Sequence, residues 1–377
     1  MPAKTQLEPR HLYLKMSRDL NKRRERRKND ATARSFLQAP IILDRRERPA
    51  DPVTIAQEPS MKPDELSTVI PSTSTCIPFM RRPNKFNSEA ILKNLTDHPG
   101  HFVIGIIGKQ GIGKSTILSH FAPNPERTFP TQSTDDFLLQ GHKTEGIDMY
   151  ITPERAILLD TEPICSWTVL DEVLRNGMNG LQPDIWLEME SLYNIIFLFS
   201  VCNVILVVND GPDIDMDLLQ LVQRAEMLKF CIPDFPLLVR DQQDMQYYPD
   251  IVFVCNKCTV DEFTFKRYKD LQLILTSFFE KSQLKTQGLV SLGNVLPLFK
   301  HTGSNLFFLP QDDGVESFDV LVLALRDQVL ATPRKSGRKG QVSEKDWYRN
   351  AVKTFEIVRK SEYINEYLQV VRKLRDS

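Results

Sequence analysis

Eight consecutive residues carry the spacing of a phosphate cradle. Gly108-Lys109-Gln110-Gly111-Ile112-Gly113-Lys114-Ser115 fits G-x-x-x-x-G-K-[ST] at every position. Gly108, Gly111 and Gly113 let the backbone turn tightly and bring its N–H groups against phosphate oxygens with no Cβ in the way. Lys114 offers a point charge to the β- and γ-phosphates, and the Ser115 hydroxyl is a ligand for Mg²⁺. Gln110, Ile112 and Thr116 complete the stretch expected to surround a bound nucleotide.

Two residues downstream are candidates for the same metal. Asp160 ends the apolar run Ile157-Leu158-Leu159, where a Walker-B carboxylate holds Mg²⁺ through water. Thr144, in Lys143-Thr144-Glu145-Gly146, lies where switch proteins sense Mg²⁺ and the γ-phosphate. An ordinary loop threonine and a carboxylate that merely ends a strand are the competing readings.

The remaining nucleotide motifs are incomplete. A switch of the form D-x-x-G is expected after Asp160, but the chain reads Asp160-Thr161-Glu162-Pro163, and proline has no N–H to give a γ-phosphate. Ile164 follows, where a glutamine would orient attacking water, and an aliphatic side chain does not. No residue is therefore assigned a catalytic role, and hydrolysis is expected to be slow or absent. Asn256-Lys257-Cys258-Thr259 stands at the position of N-K-x-D. Thr259 has one neutral hydroxyl in place of the carboxylate that reads guanine, a loss of about 1.5–3 kcal/mol of discrimination. GTP or GDP and ATP or ADP both remain candidates, with Asn256 and Lys257 at the base side. Cys255-x-x-Cys258 overlaps this motif, and a single such pair is a poor zinc site.

The elements that must position these residues are legible from 88 onward. Runs 102–107, 147–151, 156–159, 203–208, 251–255 and 306–309 read as strands, most of them continuously apolar, as strands covered on both faces must be. Helical spacing appears at 114–120, 184–200, 215–229, 263–281 and 317–330. Strand alternating with helix implies an α/β fold, a P-loop NTPase of the G-domain type, with a doubly wound, mostly parallel sheet and flanking helices. Stretches 231–248 and 283–303 lack periodicity and read as surface insertions.

Three regions are expected. Residues 1–85 are dense in charge and proline and read as a disordered tail, residues 86–335 as the nucleotide-binding domain, and 336–377 as a helical extension. In the extension Trp347, Ala351, Phe355 and Val358 share one helix face. That face is either docked on the main domain or held out for a partner, and the apolar face of 184–200 leaves the same two readings.

Lys+Arg 48 against Asp+Glu 49 leaves a net charge of −1, so no whole-chain field attracts nucleic acid. Direct RNA binding would have to come from the local run Lys22-Arg23-Arg24-Glu25-Arg26-Arg27-Lys28, and solvated tail charge is the commoner reading. Six scattered cysteines and an opening stretch without a signal-peptide core lead to a cytoplasmic expectation. The longest apolar run, 195–208, falls short of the roughly 20 residues of a membrane span.

The chain resembles the family of the ninth Smg factor of nonsense-mediated mRNA decay, most like a short invertebrate version. The likeness runs through the Gly-rich loop, Gly146-Ile147-Asp148, Leu159-Asp160-Thr161 and Pro163-Ile164. It continues through Glu188-Met189-Glu190-Ser191-Leu192, Phe197-Leu198-Phe199-Ser200, Tyr247-Tyr248-Pro249 and the tail Lys345-Asp346-Trp347. The resemblance implies a G-like subunit that pairs with a larger related one, the eighth Smg factor. Together they would restrain a phosphatidylinositol-3-kinase-like protein kinase. A nucleotide-binding regulatory subunit is thus the leading expectation. An active switch GTPase or ATPase is the alternative, and a P-loop small-molecule kinase would need an Arg-rich lid that the sequence lacks.

Overall fold

The computed structural model describes residues 75–131, 142–176, 181–230, 232, 247–312, 314–333 and 342–375. The chain runs β1 (Ile77–Arg81), β2 (Lys85–Phe86), α1 (Ser88–Asn94), β3 (Phe102–Ile107), α2 (Lys114–Ser119) and α3 (Pro125–Thr128). It continues through β4 (Ile147–Ile151), β5 (Ala156–Thr161), α4 (Trp167–Arg175), α5 (Pro183–Val201), β6 (Val204–Asp210) and α6 (Met216–Lys229). The last elements are β7 (Asp250–Cys258), α7 (Phe265–Phe278), β8 (Leu306–Pro310), α8 (Phe318–Leu330), α9 (Glu344–Arg359) and α10 (Glu362–Arg375).

The strands form one eight-stranded sheet in the order β2-β1-β4-β5-β3-β6-β7-β8. From β5 to β8 every neighbour is parallel. These strands are buried along almost their whole length, as the apolar runs require. The α/β P-loop architecture expected from sequence is therefore present. At the other end of the sheet the pairing turns antiparallel: β4 on β5, β1 on β4 and β2 on β1. The link from β4 to β5 is a tight turn, Thr152 to Arg155, too short for the crossover that a parallel pair needs.

Gly105, in the middle of β3, shows how closely the layers approach. A Cβ there would sit 2.9 Å from Cys202 Sγ and 3.4 Å from Leu198 Cδ2, so the glycine lets α5 lie directly on the central strand. The second half of α5 is buried on all sides and mostly apolar because it is covered twice. The sheet lies below it and α9 above.

Two expectations need correction. The folded part begins before residue 86, because β1 and β2 are strands of the main sheet and Phe79 and Met80 are core residues. Pro78 disguises β1 as a breaker. It sits where the register with β4 shifts, a place that tolerates a missing N–H. The segment 283–303 is not a surface insertion, since Leu284, Val290, Leu292 and Phe299 are buried. Its two one-turn helices, Leu292–Asn294 and Pro297–Phe299, hide that burial from periodicity. Helix α4 had no sequence signal that marked it.

The C-terminal helices are docked, and the faces of α5 and α9 are used inside the chain. Trp347, Tyr348, Ala351, Phe355 and Val358 are buried. Trp347 Nε1 donates to Val201 O at 3.1 Å, and the Phe355 and Phe197 rings lie 5.4 Å apart, edge to face. Glu344, at the start of α9, accepts from Thr96 N at 2.7 Å and Arg155 Nε at 2.6 Å. The described residues accordingly belong to one compact unit. The expected disordered tail up to residue 74, the joint at 334–341 and most of 231–248 lie outside the described residues. Among the described residues no helix is long and apolar enough to cross a membrane.

Candidate nucleotide-binding site

The phosphate loop joins β3 to α2 at the carboxyl end of the parallel strands, the crevice where such sheets bind ligands. Its glycines are fixed by space as well as by conformation. A Cβ on Gly108 would stand 2.3 Å from Ile112 Cδ1 and 2.7 Å from Val208 O. Gly113 has φ 88°, and a Cβ there would meet Asn256 Nδ2 at 2.4 Å.

Lys114 is 6% exposed, and its Nζ donates to Lys109 O at 3.0 Å across the loop. Burial pushes its pKa down to about 8, against the pull of Asp160 and Glu162. A polyanion beside this ammonium restores what burial takes away, so the loop chemically fits a phosphate chain. Thr116 is exposed on the first turn of α2, and its carbonyl is engaged by His120 Nδ1 at 2.8 Å.

The three candidate metal residues are brought together. Asp160 Oδ2 accepts from Ser115 Oγ at 2.7 Å and from Thr144 Oγ1 at 3.0 Å. Asp160 is fully buried, and its other oxygen, Oδ1, has no hydrogen-bond partner among the described residues. Desolvation raises its pKa to about 6, with Lys114 and the two hydroxyls opposing. One carboxylate and two hydroxyls are hard oxygen donors of the kind Mg²⁺ takes together with phosphate oxygens and water. Among the described residues no group of three or more His, Cys, Asp or Glu side chains converges to hold a metal alone.

The loop after β5 is fastened on every side. Thr161 Oγ1 donates to Ile106 O at 2.6 Å, and Glu162 N donates to Gly146 O at 2.8 Å. Glu162 returns the bond, its Oε2 accepting from Gly146 N at 2.9 Å and from an Arg82 guanidinium nitrogen at 2.6 Å. Its Oε1 accepts from Asn194 Nδ2 at 3.2 Å. Burial pushes the Glu162 carboxyl up, with Arg82 the main opposing influence. Ile164 is buried, and its N–H goes to Gly108 O at 3.2 Å. Gln110 Oε1 closes the ring from the phosphate loop, accepting from Ser166 Oγ at 2.6 Å and Thr168 Oγ1 at 2.8 Å. His142 Nδ1 lies 2.9 Å from Thr168 Oγ1, and burial holds its pKa below the ordinary histidine value.

Sequence reasoning missed Arg82, Glu162, Ser166 and Thr168 as parts of this site. Glu162 carried a faint signal, an acid immediately before the aberrant proline. Arg82 carried none, because it lay in a stretch read as tail.

On the base side, Asn256 and Lys257 brace the phosphate loop itself. Asn256 Nδ2 donates to Ile112 O at 2.8 Å, and Lys257 Nζ donates to Gly111 O at 2.7 Å. Thr259 gives its N–H to Glu262 Oε2 at 2.9 Å. Cys255 and Cys258 are buried, and desolvation pushes the Cys258 thiol up to about 12 and Cys255 well above its ordinary value. Both pack in the core beside the base-side strand, and Cys258 Sγ donates to Cys255 O at 3.4 Å.

Comparison with known proteins gives no matching family model. The chain is 32% identical over 328 residues to nonsense-mediated mRNA decay factor SMG9 of Salmo salar, covering 74% of this chain and 64% of that one. It is 30% identical over 332 residues to the factor of the same name from Xenopus laevis, covering 75% and 64%. The chain thus spans about 64% of the length of these relatives. A crystal structure of a probable GTP-binding protein, engB, aligns at TM-score 0.31 and 14% identity over 60% of this chain and 96% of that one.

Proposed function

Because the chain belongs to the SMG9 family of nonsense-mediated mRNA decay factors, we propose that it is a nucleotide-binding regulatory subunit with little or no hydrolytic turnover. In this reading it acts in decay beside a related, larger G-like subunit, and the pair controls a phosphatidylinositol-3-kinase-like kinase. The observation that carries the low-turnover part is the bond from Ile164 N to Gly108 O, made one residue after a proline that has no N–H to offer. The γ-phosphate sensor of a switch protein is replaced by a contact within the protein.

The residues divide the work. Amides of 108–115 and the Lys114 ammonium hold the phosphates, and Ser115, Thr144 and Asp160 provide the oxygen donors for Mg²⁺. Bound Mg²⁺ would neutralise charge on adjacent phosphate oxygens. Asn256 and Lys257 keep the loop in shape from the base side. Nothing in this set activates a water. A bound nucleotide then stabilises the folded state by mass action and presents one fixed surface to partners.

The test is to purify the chain with and without the related subunit, identify the retained nucleotide by mass, and follow phosphate release. Retained adenine or guanine nucleotide with no more than one turnover per site supports the proposal. Repeated turnover, or a partner affinity that differs between di- and triphosphate, would establish the switch alternative instead.

A further inference from the structure

Of the three oxygen donors gathered for Mg²⁺, Ser115 sits in α2 and Asp160 in β5, whereas Thr144 lies in the loop ahead of β4. Its Oγ1 donates to Asp160 Oδ2 at 3.0 Å. Whatever holds that loop therefore places the hydroxyl.

The hold is at Gly146. Ile147 opposite Thr161 is the last pair of the β4–β5 ladder. One step further, Glu162 N donates to Gly146 O at 2.8 Å, as in an antiparallel pair, but the return bond runs from Gly146 N to the Glu162 side chain, Oε2, at 2.9 Å. A carboxylate stands in for a backbone carbonyl. On its other side Gly146 is hemmed in by β1, since its φ is 69° and a Cβ there would stand 2.3 Å from Met80 O.

Glu162 is itself fixed from two directions. Its side chain is 7% exposed, and besides Gly146 N it accepts from an Arg82 guanidinium nitrogen at 2.6 Å and from Asn194 Nδ2 at 3.2 Å. Arg82 follows directly on β1 and also pairs with Glu172 of α4. A buried carboxylate beside a guanidinium is commonly no more than a structural pair. Here the oxygen that meets the guanidinium also holds the amide two residues from a metal donor.

We propose that Glu162, held by Arg82, is a positioning residue for magnesium, acting through Gly146 to keep the Thr144 hydroxyl on Asp160. The inference rests on the reading of Ser115, Thr144 and Asp160 as magnesium donors. Arg82, at the link between β1 and β2, thereby bears on metal affinity without supplying a ligand.

The full chain is titrated with Mg²⁺ at fixed mant-GDP and, in parallel, mant-ADP, and the Mg²⁺ concentration giving half the fluorescence change is read. Glu162→Ala should raise that concentration about tenfold, the low end for loss of a group behind a metal ligand. Glu162→Gln keeps an oxygen for Gly146 N and should stay within about threefold of the parent. Thr144→Val should raise the midpoint about as much as Glu162→Ala, and combining the two should add less than about twofold, because both take the same hydroxyl from the metal. With neither nucleotide nor Mg²⁺ present, amide exchange over 144–147 should be about tenfold faster in Glu162→Ala and near parental in Glu162→Gln. Should Glu162→Ala fail to fold, Arg82→Met carries the same cycle, with a rise of about threefold or more that Thr144→Val again absorbs. An unmoved midpoint, fully multiplied effects in the double variant, a Glu162→Gln as impaired as Glu162→Ala, or parental exchange in Glu162→Ala would each overturn the positioning role and leave the magnesium site standing. A parent chain indifferent to Mg²⁺ with both nucleotides would overturn the magnesium site and the positioning role together.

Discussion

Ile164 gives its backbone N–H to the carbonyl oxygen of Gly108 at 3.2 Å, which joins the loop after β5 to the first residue of the phosphate cradle without a ligand between them. In a switch protein the amide of this loop is free to meet a γ-phosphate and lets go when that phosphate leaves. Here the anchor is the protein's own carbonyl, and Glu162 and Gln110 add side-chain bonds on either side of it. The loop conformation is therefore set by folding.

Restoring the missing amide alone is insufficient. In Pro163→Gly an N–H returns, but Ile164 remains buried and bonded, and no side chain there orients water. Phosphate release should stay at or below one per site in a multiple-turnover assay. Sustained release from the variant would show that proline was the whole obstacle.

Gln110 should control how tightly the loop is held. Gln110→Ala leaves the Ser166 and Thr168 hydroxyls without their shared acceptor. Local opening should become easier by about 1–2 kcal/mol, or about 5–30-fold faster amide exchange over 164–170. Exchange followed by mass spectrometry reads this directly, and exchange as slow as in the parent chain would refute the clasp.

In the proposed site Lys114 supplies the point charge of the cradle. A ligand present at 100 times its dissociation constant stabilises the folded parent by about 2.7 kcal/mol. Lys114→Ala should show almost none of that gain at the same nucleotide concentration. Thermal melts with and without nucleotide decide it, and an equal midpoint gain in the two proteins would remove Lys114 from the site.

Asp160 should set the response to magnesium. Its Oδ2 gathers Ser115 and Thr144 while its Oδ1 has no partner among the described residues. Chelating Mg²⁺ should weaken nucleotide binding to the parent chain. In Asp160→Asn the Mg²⁺ concentration for half effect should rise about 10–100-fold, as for loss of a group that orients metal-bound water. Titrations at fixed nucleotide and varied Mg²⁺ test this, and an unaltered midpoint would count against a metal role.

The C-terminal helix is held by a buried charge. The Glu344 side chain is 2% exposed and relies on Arg155 and Thr96. Arg155→Met would leave that carboxylate buried beside a neutral stem, a loss of about 3–5 kcal/mol. Adding Glu344→Gln should recover part of it. Denaturant unfolding of the two variants separates a broken pair from a general packing defect, which the second substitution would not repair.

Much of the molecule is written locally in the chain. The cradle is legible because glycine freedom, a lysine and a serine must fall within eight residues to wrap a phosphate. The central strands and the buried face of α9 are legible because backbone repeat fixes which side chains share a side. The bonds that fasten the site are not local. Gln110 reaches Ser166 across 56 positions, Arg82 reaches Glu162 across 80, and Lys257 reaches Gly111 across 146. Nothing at either end of such a pair marks the other, because a hydrogen-bond partner depends on how the intervening loops close. The same holds for β1, which lies in a stretch read as tail and becomes a strand by pairing with β4. Residue types and spacing determined that this chain has a phosphate cradle. Tertiary packing decided that the loop beside it is tied down, since only the assembled sheet brings the Gly108 carbonyl within reach of Ile164.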